Sequence, residues 1–129
     1  MLNKEKIIDL TTRLVAVGIL SYSAILKLIG NASEIHIFER INMEPMGRYG
    51  VAVLEIIAVI LLLINKTVWR GATLGLVIML GAIVVHIFTN EFDVLGDKGL
   101  MFASAVVVFF CCINILINQA DIKAHWAKD

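Results

Sequence analysis

The chain has 129 residues, no formal net charge and a 60% share of hydrophobic residues, with a mean hydropathy of +0.90. A soluble domain is usually about 45–50% apolar, so the balance points to a single membrane-embedded domain over residues 1–129. A zero net charge gives no footing for nucleic acid or for any strongly charged partner.

The first apolar segment runs Ile7–Ile29. Its length is near the roughly 20 residues that cross a bilayer as a helix. Lys4 and Lys6 precede it, but Asp9 and Arg13 interrupt its start. The apolar run is also too long for the core of a signal peptide. The stretch NASEIHIFERINME follows. Ile35, Phe38 and Ile41 share a helical face there, with Glu34 and Arg40 pointing elsewhere. Two readings stand: a short amphipathic helix lying at the membrane interface, or a polar loop with a few buried anchors.

The second segment, Asn42–Ile64, places the only proline, Pro45, in its first turn after an Asn42 cap, where proline is tolerated. Ala52 and Ala58 flank Glu55 at helical spacing. The third, Val68–Thr89, carries Gly71 and Gly75 as a GxxxG pattern, with Ala82 continuing that face toward His86. Small residues of this kind serve close packing within a bundle or between copies. The fourth, Gly99–Ile117, sets Ser104, Cys111 and Asn118 at heptad spacing with Asn114 beside them. Asn114 is placed to hydrogen-bond across helices. Adjacent Cys111 and Cys112 cannot pair without strain, and the sequence shows no CxxC or His/Cys ligand set. The two read as small apolar residues, and no metal site is expected.

Short connections make sequential spans antiparallel neighbours. The expected fold is all-α: a membrane-embedded antiparallel four-helix bundle. Lys4, Lys6, Lys66, Arg70, Lys123 and Lys128 fall on one side. Arg40, Arg48 and Lys98 fall on the other, with most of the acids. The positive-inside bias then puts both termini in the cytoplasm of a multi-pass protein of the cell membrane.

Four polar residues interrupt the spans: Arg13, Lys27, Glu55 and His86. A carboxylate at bilayer depth costs several kcal/mol unless it is paired, hydrated or protonated. Glu55 therefore needs a partner. Arg13 and Lys27 are fourteen residues apart, close to four turns, and project from a similar face. They offer Glu55 a cation below and a cation above. Both also read as snorkelling residues. His86 reads as a boundary histidine or a proton handler. Tyr49, about two turns above Glu55, reads as an interfacial aromatic or as a hydroxyl donor to the same cavity.

An arginine opening the first span (TTRLVAVGIL), a Lys-Leu closing it (SAILKLIG), a central glutamate (AVLEIIAVILLL) and a glycine-to-histidine third span (RGATLGLVIMLGAIVVHIF) follow in that order. In this order and spacing the chain resembles the DoxX and DoxX-like family of small four-span membrane proteins, and is similar in the same places to the NACHO-type receptor-assembly chaperones. Ala24 stands where the family often has glycine. The resemblance implies two roles. One is a non-catalytic or partner-dependent component of a quinone-linked redox system, with a quinone or lipid held near Glu55, His86, Lys27 and Tyr49. The other is an accessory protein that assembles another membrane protein, through its outer faces or the Ile35–Ile41 segment. Neither is an enzyme on its own, and no cofactor motif is encoded. The bilayer and a protein partner or second copy are the expected partners. A small transporter is the weaker third reading, because no inverted repeat or broken span is visible.

Overall fold

The computed structural model describes residues 4–128, with side chains described for 4–120. The orientation markers Lys123 and Lys128 lie outside the described side chains. Five α-helices are present among the described residues: α1 (Lys4–Ile29), α2 (Ala32–Arg40), α3 (Met46–Leu63), α4 (Val68–Thr89) and α5 (Leu100–Lys128), with a 3₁₀ turn at Asn65–Thr67 between α3 and α4. No strand is assigned among them. Four of these helical segments are long and apolar enough to cross a membrane, so by length and composition this is a multi-pass membrane protein.

The four long helices form a ring. α1 packs on α3 and α5, and α4 packs on the same two. The order is up-down-up-down, as short connections require. Hydrogen bonds tie each end of the bundle. At one end Gln119 donates to Asp9 (3.3 Å), and Arg13 donates to Asn65 (3.0 Å). At the other end Arg40 donates to the Thr89 carbonyl (3.2 Å), and Ser33 donates to that of Val94 (3.4 Å).

Three helices stop in the same way. After α1 the Gly30 and Asn31 amides bond back to the Lys27 and Leu26 carbonyls. After α2 the Asn42 and Met43 amides reach Glu39 and Phe38. After α4 the Asn90 and Glu91 amides reach Ile87 and His86. Each stop needs one residue in the left-handed region. Gly30 (φ 73°), Asn42 (φ 58°) and Asn90 (φ 56°) supply it, because asparagine tolerates that region better than most side chains. Asn42 therefore ends α2 and does not cap the second span, which begins at Met46 after Pro45.

The core is a column of small and branched residues: Ala16 and Leu20 from α1, Ala58 and Leu62 from α3, Ala72 and Met79 from α4, Val108, Cys112 and Ile115 from α5. Large apolar residues such as Leu14, Val53, Ile60, Val77 and Phe110 face outward, as lipid-facing surfaces do. Both glycines of the GxxxG pattern point inward. A Cβ on Gly71 would lie 2.7 Å from the Leu62 amide nitrogen and 3.0 Å from the Ala58 carbonyl oxygen, while one on Gly75 would lie 2.9 Å from the Cys112 sulfur. The pattern thus seats α4 against α3 and α5 within one chain.

Gly71→Ala meets backbone that cannot swing aside. It should cost about 1–3 kcal/mol of stability through overpacking. Gly50→Ala, where a Cβ meets nothing within 4 Å, should leave the thermal midpoint in detergent unchanged or slightly raised. Equal midpoints for the two variants would contradict this packing.

Candidate functional site

Lys27 lies in the last turn of α1, one turn after Ser23. Its ammonium does not run out to solvent. Nζ lies 2.6 Å from Ser23 Oγ, 3.0 Å from Glu55 Oε1 and 3.3 Å from Glu34 Oε2. The three groups come from α1, α3 and α2. Lys27 is 7% exposed, Glu34 3% and Glu55 0%. The pairing of Glu55 with Lys27 is an ion pair without directed hydrogen-bond geometry. Neither Glu55 oxygen has a hydrogen-bond partner. The Ser23 hydroxyl is near enough to influence the Glu55 carboxylate without a hydrogen bond to it.

Glu34 is the member that sequence reasoning missed. It was expected to point away from the apolar face of its segment. Instead Glu34, Ile37, Phe38 and Ile41 all border one cavity, at the i, i+3, i+4, i+7 spacing of a single helical face. Ile35, half-buried, does not border it. The reason is electrostatic: Lys27, buried by its own helix, draws a second carboxylate inward. The segment is a helix, N-capped by the Asn31 side chain, which accepts from the Ser33 amide (3.1 Å).

The cavity these residues border has a volume of about 380 Å³ and is not fully enclosed. All five helices contribute to its wall, which is mostly apolar. Its polar members are Ser23, Lys27, Glu34, Glu55, Ser104 and His86, with Tyr22 among its aromatic ones. His86 is 3% exposed. Its Nδ1 lies 2.7 Å from the Glu91 carbonyl oxygen, and its ring packs edge-on against Phe102. A carbonyl only accepts, so Nδ1 carries the proton.

Two of the expected members lie elsewhere. Arg13 does not reach Glu55. Its Nε and Nη2 donate to the Leu62 carbonyl at 3.0 and 2.6 Å, and Asp9 lies 3.6 Å from Nη1. Leu62 is seven residues past Glu55, about 10 Å along the helix. The last carbonyls of α3 lack helical partners, and the guanidinium meets one of them. Tyr49 is 42% exposed and stays outside the cavity. Its ring lies beneath the Arg48 guanidinium, 4.4 Å from the centroid. Arg48, buried at 4%, holds Glu44 through Nε at 2.9 Å to both carboxylate oxygens and donates to the Lys27 carbonyl. It fixes the end of α1 from which Lys27 reaches inward. Asn114 bonds Asn118 on its own helix (2.9 Å) rather than a neighbouring one.

The loop over the cavity end is tied by charge. His36 Nε2 lies 2.8 Å from Glu91 Oε1, and Arg40 Nε lies 3.4 Å from Oε2. The His36 hydrogen bond holds the Glu91 carboxyl below the usual carboxylate range, with Arg40 and His86 adding to it. Asp97 precedes α5. Burial works against its ionised form, yet amide hydrogen bonds from Met101, Val94 and Gly99 outweigh it and hold its carboxyl low. Among the described residues no cluster of three or more His, Cys, Asp or Glu is placed to hold a metal ion.

No family model, curated protein or solved structure matches the chain.

Lys27→Met leaves two buried carboxylates without their shared cation. It should cost about 3–5 kcal/mol, the usual penalty for breaking a buried pair from one side. Arg13→Met, which strips a carbonyl at a helix end, should cost less, about 1–3 kcal/mol. Urea titration in mild detergent ranks them, and the reverse ranking would refute the geometry. Glu91 gives a pH signature. A carboxyl held low in the folded state stabilises above its unfolded pKa and loses that stabilisation as pH falls through its lowered value. Wild type should therefore lose thermal stability below about pH 4 more steeply than Glu91→Gln. Parallel acid limbs for the two proteins would remove this role.

Proposed function

We propose that the protein holds a small amphiphile between its helices and serves as a non-catalytic, partner-dependent component of a quinone-linked redox system in the cell membrane. The observation that carries the reading is the cavity of about 380 Å³, walled by apolar side chains and bordered by the buried Glu34–Lys27–Glu55 cluster. Ligand sites are mostly apolar hollows with a few convergent polar groups, and ionisable residues at membrane depth mark functional sites by default. Nothing in the cluster carries electrons, so oxidation and reduction belong to a partner. Membership of the DoxX-like family is part of the proposal. It rests on the order of Arg13, Lys27, Glu55 and His86. Cytoplasmic termini are part of it too, from Lys4, Lys6, Lys66 and Arg70 on the side of α1's start.

The alternative is an accessory protein that assembles another membrane protein, with the cluster as an internal clamp. The three-helix reach of Lys27 favours such a clamp. Against it, the apolar face of α2 that was to hold a partner is turned into the cavity.

Mass spectrometry of organic extracts separates the two. Protein purified gently from its native membrane should carry a near-stoichiometric quinone, quinol or similar amphiphile. Folded Glu55→Ala should lose it, and Tyr49→Phe should keep it. An empty cavity with a co-purifying membrane protein would favour the clamp.

A further inference from the structure

We infer that the cavity selects amphiphiles whose head groups donate hydrogen bonds over matched amphiphiles whose heads only accept them. The inference rests on the reading of the cavity as an amphiphile site and specifies the chemistry that site takes. It follows from how the charged groups that border the hollow are paired.

The one cation in the cluster is already shared among three neighbours. An ammonium has three N–H donors and no acceptor. Ser23 Oγ takes one from Lys27 and Glu34 another, and the ion pair with Glu55 holds the ammonium against a second carboxylate. The unmet group is an acceptor. Glu55 borders the cavity, and its Oε2 is fully covered with no hydrogen-bond partner. Charge points the same way. Two buried carboxylates share one ammonium. Among the described residues no second cation lies within ion-pair distance of Glu34 or Glu55. Arg48, the nearest guanidinium in the fold to this end of α1, is engaged by Glu44 and the Lys27 carbonyl.

A head that brings an N–H or O–H satisfies Oε2 and offsets the surplus negative charge. A carbonyl or carboxylate head meets acceptors with an acceptor. Because Glu55 has no open surface, the side chains around it must part as the head arrives. Two sources share the chemistry: an ammonium lipid-like molecule and a hydroxylated ring such as a quinol. Under the quinone-linked reading the bound form is then the reduced one.

The test uses the full chain in phosphatidylcholine nanodiscs, with protein-free nanodiscs as the partition control. Four probes form two matched pairs: hexylhydroquinone against hexylbenzoquinone under anaerobic conditions, and octylammonium against octanoate. Each donor should bind about tenfold or more tightly than its acceptor mate, the factor expected when a buried acceptor is otherwise left unsatisfied. A preference in only one pair names the source, ring or ammonium. Glu55→Gln puts an amide donor beside the head, so it should bring hexylbenzoquinone close to parity with hexylhydroquinone. Gly81→Leu should abolish binding of all four, because Gly81 borders the cavity with open space before it. Acceptor probes that bind as tightly as donors, and are lost in Gly81→Leu, would overturn the inference and leave the amphiphile site standing. No binding above protein-free nanodiscs would overturn both.

Discussion

A lysine ammonium held away from water constrains the rest of this bundle. Lys27 sits where its stem would ordinarily carry the charge outward, yet Nζ turns inward to Ser23, Glu34 and Glu55. Burying the ion costs several kcal/mol, which only close counter-charges offset. That requirement fixes three relations. α3 must bring Glu55 level with the end of α1. α2 must fold back so that Glu34 faces in. Arg48 must hold the Lys27 carbonyl and keep the end of α1 in place. The cavity is what remains between the helices so positioned.

The two ends of the bundle are built on different principles. At the end where α1 starts, a guanidinium meets the free carbonyl of Leu62, and small residues let α4 lie against α3 backbone at Gly71. That end is close-packed. At the other end charged side chains from α2 and the α4–α5 loop tie the connections over the hollow through His36, Arg40 and Glu91. Packing closes one end and electrostatics closes the other. The cavity lies at the second end, bordered by Lys27, Glu34 and His86.

The span pattern was legible because hydropathy and length speak directly to bilayer thickness. Glu55 was legible because a charge in an apolar run demands a partner, and Lys27 because it was in reach. Arg13 satisfied the same periodicity argument but not the distance, since face and depth are separate coordinates on a helix. The free carbonyl that holds it is invisible until the end of α3 is placed. Glu34 was hidden because a short polar segment reads equally as loop or surface helix. Only the buried cation decides which face turns inward. Asn42 misled for a related reason: asparagine serves helix starts and left-handed stops alike, and its φ of 58° selects the second.

The central claim is that Lys27 and Glu55 form one buried interaction on which the bundle depends. A double-mutant cycle of Lys27→Met and Glu55→Leu, read by urea unfolding in mild detergent, tests it most directly. The account predicts that the double variant is far more stable than the sum of the two single losses allows, with a coupling above about 1 kcal/mol for groups in contact. Additive losses would mean that the two residues act independently, and the account built on their pairing would fail.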